Sequence, residues 1–418
     1  MRILWVSQWF PPDLGALPAR LTEMAREWTA EGHEITVVTA FPHHPLGVIP
    51  DAYRGRWVVE ERREGVRVIR CRLWALPNRR MWQRTLCQVS FAVTSVLLAL
   101  NRPLRSDVVI VSSPPFFTVP AGWAFSRYHR APLVFEVRDL WPDVFVASGV
   151  LSEGLLFRTL RKLEMAFYRA ARRVVVVTRS FRGDLLSRGV PEEKISVVPN
   201  GADLEFFAPR PPSAELRRRL GGEEKFLATY VGTHGILQGL EQILDAAEEL
   251  REDPAFSFAF IGEGARRDAL AQDAARRGLD RVIFQPAFPR ETMPDVYASS
   301  DACIVCLRPL PIFRKFVPSK IFEILACGRP LIAAVEGEAA EIVRAAGGIV
   351  VPPGDGKAIA AALRRLASTR STTEEAGEPA GRRYVRQNFD RRRLAAEYLE
   401  TLRAAAGANP TREPLSAP

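Results

Sequence analysis

The run from Phe316 to Ala334, FVPSKIFEILACGRPLIAA, brings a lysine, a carboxylate and the start of an apolar helix within one turn of each other. Pro318 and Ser319 suit the first positions of a helix, so the N–H groups that follow would face an anion, with the helix dipole adding positive potential. Lys320 adds a full charge at that point, and Arg314 and Lys315 stand just before it. Glu323, one turn further on, is near enough to accept hydrogen bonds from a ribose diol. Gly328 then ends the helix and Pro330 opens a strand. The set suits a nucleoside diphosphate. A loop that merely tops a sheet is the plain alternative.

Such a site needs strands to carry it. Short continuous apolar runs alternate with amphipathic helical stretches along the whole chain, the pattern of buried parallel strands in an α/β protein. A first series holds Ile3–Ser7, Glu34–Thr39, Val66–Arg70, Val108–Ser112, Leu133–Val137, Val174–Thr178 and Ile195–Val198. A second holds Phe226–Val231, Ser257–Ile261, Val282–Gln285, Cys303–Leu307, Leu331–Val335 and Ile349–Val351. Two such series predict two Rossmann-like, doubly wound domains whose ligands sit beyond the C-terminal ends of the strands, in a cleft between them. The boundaries read as 1–199 and 200–380, with a hinge at Pro199–Asp203 and the proline-rich Ala208–Ser213. Residues 381–405 read as one closing helix that crosses back onto the first domain, and 406–418 as a disordered tail.

Several turns after these strands could carry chemistry. Gly15 follows the first strand, where close backbone approach to a sugar or pyrophosphate requires a glycine, and Arg20 lies about a turn into the next helix. Arg138 and Asp139 follow a buried strand at its functional end, with Trp141-Pro142 to fix their loop; a purely structural Arg-Asp pair is equally open. Gly232-Thr233-His234-Gly235 and Gln238-Gly239 follow the first strand of the second domain, and Gly262 and Gly264 follow the next. Their glycines would let backbone amides meet phosphates.

Composition narrows the partners. The 418 residues are 47% hydrophobic and carry a formal charge of +10, which implies an anionic partner: nucleic acid, acidic lipid or nucleotide sugar. No RNA-binding aromatic signature or zinc-finger spacing is present, so nucleic acid is not expected. Cys71, Cys87, Cys303, Cys306 and Cys327 lack a disulfide framework and read as packed thiols. Arg2–Val6 already reads as a strand, so no signal peptide and a cytoplasmic location are expected. The run Leu86–Leu100 is apolar, flanked by Arg79, Arg80, Arg84, Arg102 and Arg105, with Trp74, Met81 and Trp82 nearby. It is short of the roughly 20 residues that span a bilayer. It reads either as a buried helix or as one lying in a membrane surface, with residues 79–105 as the contact.

Taken in order, six segments resemble the retaining glycosyltransferases of family 4, which have the GT-B fold, and most closely those that build O-antigen, capsule and colanic acid. They are Trp9–Arg20, Arg138–Pro142, Gly189–Asp203, Tyr230–Gly239, Ile261–Gly264 and Pro318–Pro330. The resemblance covers roughly residues 1 to 400. It implies transfer of a sugar from a nucleoside diphosphate sugar, UDP-linked on family grounds and conceivably an N-acetylamino sugar, to a lipid-linked saccharide at the inner face of the cell membrane. It implies no cofactor and no metal, front-face attack with the donor phosphate accepting the proton, and Asp139 orienting the acceptor. Catalytic roles fall on Lys320, Glu323, Arg138 and Asp139. Donor contacts fall on Gly232, Thr233, His234, Gln238, Gly262, Gly264, Arg314, Lys315 and Ser319, with Phe288 beside the base; Gly15 and Arg20 take substrate in the first domain.

Four positions depart from the family pattern. Thr233 and Gln238 stand where many members carry an arginine and a lysine, and Lys315 stands where the first of two paired glutamates belongs. Arg138-Asp139 replaces a histidine-aspartate pair. Lys320, Arg314, Lys315 and Arg138 are the cations expected to compensate. A sugar-nucleotide 2-epimerase of the same fold and a non-catalytic nucleotide-binding scaffold remain the rival readings.

Overall fold

The computed structural model describes residues 1–44, 47–76, 81–369 and 377–407. The chain divides into two compact units, Met1–Pro199 with Arg392–Pro418, and Asn200–Arg391. In chain order the first unit runs β1 (Arg2–Val6), α1 (Ala16–Ala30), β2 (Glu34–Ala40), β3 (Val58–Arg63), β4 (Val66–Cys71), α2 (Met81–Ala99), β5 (Val108–Ser113), α3 (Thr118–His129), β6 (Leu133–Val137), α4 (Asp143–Ala147), α5 (Leu155–Ala170), β7 (Arg173–Val176), α6 (Arg179–Ser187) and β8 (Ile195–Val197). The second runs α7 (Ala214–Arg219), β9 (Phe226–Val231), α8 (Glu241–Glu249), β10 (Phe256–Ile261), α9 (Arg267–Arg276), β11 (Val282–Gln285), α10 (Met293–Ala298), β12 (Ala302–Cys306), α11 (Lys320–Ala326), β13 (Leu331–Ala334), α12 (Glu338–Ala345), β14 (Ile349–Val351), α13 (Gly356–Thr369) and α14 (Ala380–Asn388). Helix α15 (Arg391–Gly407) is the last described element.

The first sheet has the order β3-β4-β2-β1-β5-β6-β7-β8. All its pairs are parallel except β3 with β4. Strands such as Val108–Ser113 and Leu133–Val137 are buried at every residue, which is why they read as unbroken apolar runs. β3 was not expected. Its sequence VVEERR is charged and half-exposed, because an antiparallel edge strand need bury only part of one face.

The core of this unit is aromatic. Trp5 stacks on Trp28 with centroids 5.5 Å apart, and Tyr398 from α15 meets both edge-on at 6.1 and 5.4 Å. Trp28 Nε1 donates to the Ala395 carbonyl at 2.8 Å. The predicted single closing helix is in fact two, broken at Phe389-Asp390. There Ala202 N–H donates to the Phe389 carbonyl at 3.1 Å and Arg391 N–H to the Ala202 carbonyl at 3.0 Å. The backbone turns to make these bonds, and the ring of Phe389 packs on Phe322 at 4.5 Å. Residues 406 and 407 finish α15; the rest of the expected tail lies outside the described residues.

The second sheet is wholly parallel in the order β11-β10-β9-β12-β13-β14. Chain order reverses between β9 and β12, so the ends of these two strands form the switch point where ligands of such sheets bind. In the first sheet the reversal lies between β1 and β5.

Candidate functional site

In the second unit, side chains converge on that switch point. Lys320 is the first residue of α11, and its half-buried ammonium lies 4.1 Å from the centroid of the Tyr230 ring. Burial pulls its pKa down to about 8, while the nearby Cys306 and Glu323 push it back up. Among the described residues it makes no ion pair. A desolvated cation without a counter-ion, held at the strand ends, is a site for an anion.

The loops after β9 and β10 surround it. A Cβ built on Gly232, whose φ is +135°, would come 2.5 Å from Lys320 Nζ, so glycine there lets the ammonium reach the strand end. Gly262 has a different task from the one expected. A Cβ on it would stand 1.9 Å from the Gly232 carbonyl oxygen, and one on Gly264 2.4 Å from that of His234. The two loops are joined backbone to backbone: Gly232 N–H donates to Ile261 O at 2.9 Å, His234 N–H to Glu263 O at 2.8 Å and Arg266 N–H to His234 O at 2.9 Å. These glycines therefore serve loop against loop.

His234 is fully buried between Tyr230, Phe260 and Phe284. Neither ring nitrogen has a hydrogen-bond partner. Burial, then the charges of Arg267 and Lys320, bring its pKa to about 4, so the ring is neutral near pH 7. A neutral imidazole beside Lys320 can give one N–H to an anion that enters. Thr233 is exposed and its carbonyl accepts from Tyr230 Oη at 2.9 Å; Gln238 is half-buried in the next turn.

Glu323 is held on its far side. Its Oε2 accepts from Tyr297 Oη at 3.0 Å, and its Oε1 lies 3.8 Å from Arg290, whose guanidinium is 5.1 Å from the rings of both Phe206 and Phe207. Tyr297 and Arg290 have no signal in the sequence near Glu323; only the folded α10 and the turn that precedes it bring them there. The expectation of free amides at Ser319–Ile321 needs correction at Ile321 alone, whose N–H already donates to the Pro318 carbonyl at 3.1 Å, as Phe322 N–H does to that of Ser319 at 3.1 Å. The amides of Ser319 and Lys320 have no acceptor among the described residues, and the side chain of Lys320 adds the cationic group beside them. Arg314 is exposed and donates to Glu336 at 2.7 Å. Lys315 and Ser319 are half-buried in the approach to α11. Phe288 belongs to a small core with Leu227, Ile261 and Val296, and Arg219 caps its ring at 4.5 Å.

The first unit gives a different account of its expected residues. Arg20 is not available to a substrate. It is fully buried, donates to Glu136 at 2.9 Å, to the Val198 carbonyl at 2.9 Å and to that of Pro199 at 2.6 Å. Glu136 also accepts from Ser112 Oγ at 2.7 Å, which accepts from Trp5 Nε1 at 2.8 Å. The arginine ties α1 to β6 and to the segment after β8, a role its place in the sequence does not distinguish from substrate binding. Gly15 begins α1 at φ +138°.

Asp139 follows β6, half-buried; its carbonyl accepts from Trp141 N–H at 3.0 Å, and its carboxylate has no hydrogen bond or ion pair among the described residues. Burial raises its pKa to about 6 against the lowering effect of Arg138. Trp141 anchors their loop by stacking on Phe116 at 3.8 Å. A polar cluster that the sequence did not single out lies beyond β1 and β2. Asp13, 4% exposed, accepts from the N–H groups of His43 at 2.9 Å and His44 at 2.7 Å through Oδ1. Its Oδ2 and the Oε1 of the buried Gln8 have no partner. Burial raises Asp13 and brings His44 to about 4. The one available signal was a carboxylate placed directly after Pro11-Pro12.

The cysteines are core. Cys303 and Cys306 lie within β12, fully buried, and burial pushes Cys306 up to about 12.

Comparison with known proteins agrees with this arrangement. Residues 15–201 match the family model of the glycosyl transferase 4-like domain, and 225–369 that of glycosyl transferases group 1. The chain is 26% identical over 418 residues to the Escherichia coli (strain K12) protein named "Putative colanic acid biosynthesis glycosyl transferase WcaI", covering 96% of this chain and all of that one. Among solved structures, sucrose-phosphate synthase from Thermosynechococcus elongatus superposes with a TM-score of 0.75 at 20% identity, over 97% of this chain and 99% of that one. Anabaena Alr3699/HepE in complex with UDP-glucose superposes at 0.70 and 19% identity, over 97% of this chain and 100% of that one. Two parallel-sheet α/β units, a Lys320 site at the second switch point and matches to both halves of the chain identify it as a GT-B glycosyltransferase of family 4.

Proposed function

We propose that this glycosyltransferase moves a sugar from a nucleoside diphosphate sugar to a lipid-linked saccharide in cell-surface polysaccharide synthesis, with retention at the anomeric carbon. The observation that carries the donor half is the uncompensated Lys320 ammonium beside Tyr230, Gly232 and the partnerless ring of His234. As the glycosidic bond lengthens, negative charge grows on the diphosphate, and a pre-placed, partly desolvated cation stabilises it more than the ground state. A neutral His234 would give a second donor. Glu323 would read the ribose, its carboxylate already oriented by Tyr297 and Arg290. The solved HepE complex contains UDP-glucose, which favours uridine as the base.

On the acceptor side, Asp139 would orient the attacking hydroxyl, with Arg138 beside it. Front-face attack, with the departing phosphate taking the hydroxyl proton, requires no protein nucleophile and no metal in this reading. The similarity to WcaI supports a polysaccharide-building role. A lipid-linked acceptor would keep the protein peripheral on the inner face of the cell membrane.

The test is saturation-transfer NMR with a panel of nucleotides and nucleotide sugars, followed by a hydrolysis assay on each hit. Binding of a UDP-sugar with slow release of UDP supports the transferase and names its donor. A bound nucleotide sugar that is never turned over, with or without acceptor extracts, points to a scaffold, and inversion at C2 of the donor to an epimerase.

A further inference from the structure

Between Gly65 and Phe135 the chain carries ten arginines and no lysine, against a single acid, Asp107. That stretch alone holds nine of the protein's ten net positive charges. Asp107 is turned away to Arg2 at 2.7 Å, while Glu60 of β3 pairs with Arg67 at 2.6 Å and Arg102 at 3.1 Å, and Glu61 with the buried Arg70 at 2.8 Å. Arg84, Arg105, Arg127 and Arg130 are exposed; Arg79 and Arg80 lie outside the described residues, as does the side chain of Met81.

Within this basic stretch lies an uncharged helix face. No charged residue occurs from Thr85 to Asn101. Trp82, Val89, Val93 and Leu97 recur at helical spacing on one stripe of α2 and are exposed, Val93 by 52% and Leu97 by 71%. The opposite stripe, with Cys87, Phe91, Ser95 and Ala99, is buried against the body of the unit. The helix therefore has an inner face already used and an outer apolar face without a partner among the described residues. Among the described residues no helix is long and apolar enough to cross a membrane.

Tryptophans border the stripe. Trp57, Trp74, Trp82 and Trp123 are the exposed ones, between 44% and 62%, whereas Trp5, Trp28 and Trp141 are buried. Trp74 follows β4 and Trp123 lies on α3, both of which pack on α2, and Trp57 precedes β3, the partner of β4. Arg72 N–H donates to the Trp57 carbonyl at 2.9 Å and the Arg72 guanidinium lies 4.9 Å from the Trp57 ring. Trp74 N–H donates to Ser90 Oγ of α2 at 2.9 Å.

We infer that this face, α2 with the tryptophans and arginines around it, docks on the surface of a bilayer containing anionic lipid, with α2 lying in the plane of the interface. An apolar stripe enters the acyl boundary, indoles sit at headgroup depth, and guanidinium groups meet phosphates. A second copy of the chain fits this surface poorly, since pairing like faces would set one basic field against another. The inference goes beyond the membrane contact at residues 79–105 by including β3, β4 and α3 and by fixing the lipid charge. It rests on the lipid-linked acceptor for its purpose only.

The experiment is vesicle flotation of the full chain, without donor or acceptor, on phosphatidylcholine vesicles with and without about one third phosphatidylglycerol, which supplies the negative surface potential. Anionic vesicles should retain at least about tenfold more protein than neutral ones, with retention falling as salt rises. Val93→Glu with Leu97→Glu should abolish retention, and Arg105→Glu with Arg127→Glu should weaken it and flatten the salt dependence, while UDP binding and the melting temperature stay unchanged. Equal retention on both vesicles, or none, overturns the inference. So does a dimer in sedimentation that the Val93→Glu, Leu97→Glu pair converts to monomer, which would give the face to a second copy. Each result leaves the donor assays untouched, so failure here and failure of the transferase reading are told apart.

Discussion

The Lys320 ammonium and the Tyr230 ring face each other at 4.1 Å, the ring standing where a carboxylate would stand in an ordinary ion pair. The ring's negative face offsets part of the lost hydration without neutralising the charge. The cation is thus kept in place and still available to an anion.

Replacing Lys320 by Ala should lower turnover by about 10²- to 10³-fold, the cost of removing one charge-stabilising group from a transition state. Stability should hold or rise slightly, because an unpaired, partly desolvated charge is removed. Calorimetric titration of the donor nucleotide should show affinity falling as pH rises through about 8, where Lys320 loses its proton, and a flat profile in the variant. A pH-dependent loss that persists in Lys320→Ala would move the phosphate grip elsewhere. Because the folded pKa lies below the unfolded one, Lys320 weakens the fold when charged; stability should recover as pH rises from about 8 toward the ordinary lysine value of about 10.4.

Asp139→Asn separates two readings of that carboxyl. Its folded pKa near 6 lies above the unfolded value, so the native state binds the proton more tightly and loses stability as pH rises from about 4 to 6. Asn removes that loss. The variant should melt higher at pH 7.5 and match the parent below about pH 4. If the group orients the acceptor, the acid limb of the rate profile near pH 6 should also disappear. An unchanged limb would leave Asp139 a structural residue.

Gly262→Ala has nowhere to put its methyl group, since the Gly232 carbonyl lies 1.9 Å from the Cβ position and φ is +144°. We expect a loss of about 2–4 kcal/mol in urea unfolding, from backbone strain plus separation of the two loops. Gly15→Ala, where the nearest atom is 3.9 Å away, should cost only the strain of its positive φ, about 1 kcal/mol. Equal losses at the two sites would mean that the junction between the loops contributes nothing.

Arg20→Ala should behave as a stability variant. It strands Glu136 in the core without its counter-ion, at a cost of about 3–5 kcal/mol. An unchanged urea midpoint with lost substrate binding would restore the site role that the structure denies it.

The fold was legible because parallel strands buried on both faces leave unbroken apolar runs; six of six strands of the second sheet and seven of eight of the first stand where those runs do. β3 escaped because an exposed antiparallel edge needs no such run. The break between α14 and α15 escaped because the bonds that make it come from Ala202, remote in sequence. At the site, the place of Lys320 at the start of α11 was legible from local turn chemistry, whereas Gly232, expected to offer its amide, gives that amide to Ile261 and makes room for Lys320. The job of Gly262, the burial of Arg20, and the Tyr297 and Arg290 contacts to Glu323 were not, since each depends on a neighbour that only tertiary packing supplies.

Helix α15 carries Leu394, Tyr398, Leu399 and Leu402 into the core of the first unit, whose other segments end at Pro199. During synthesis the ribosome releases Asn200–Arg391 before that helix exists. Domains otherwise tend to fold in order of emergence. Here the later unit can finish first, while Trp5 and Trp28 wait, uncovered, for the last turn of chain. Termination between Arg391 and Leu394 would spare the nucleotide-side unit and strip the other of its closing layer.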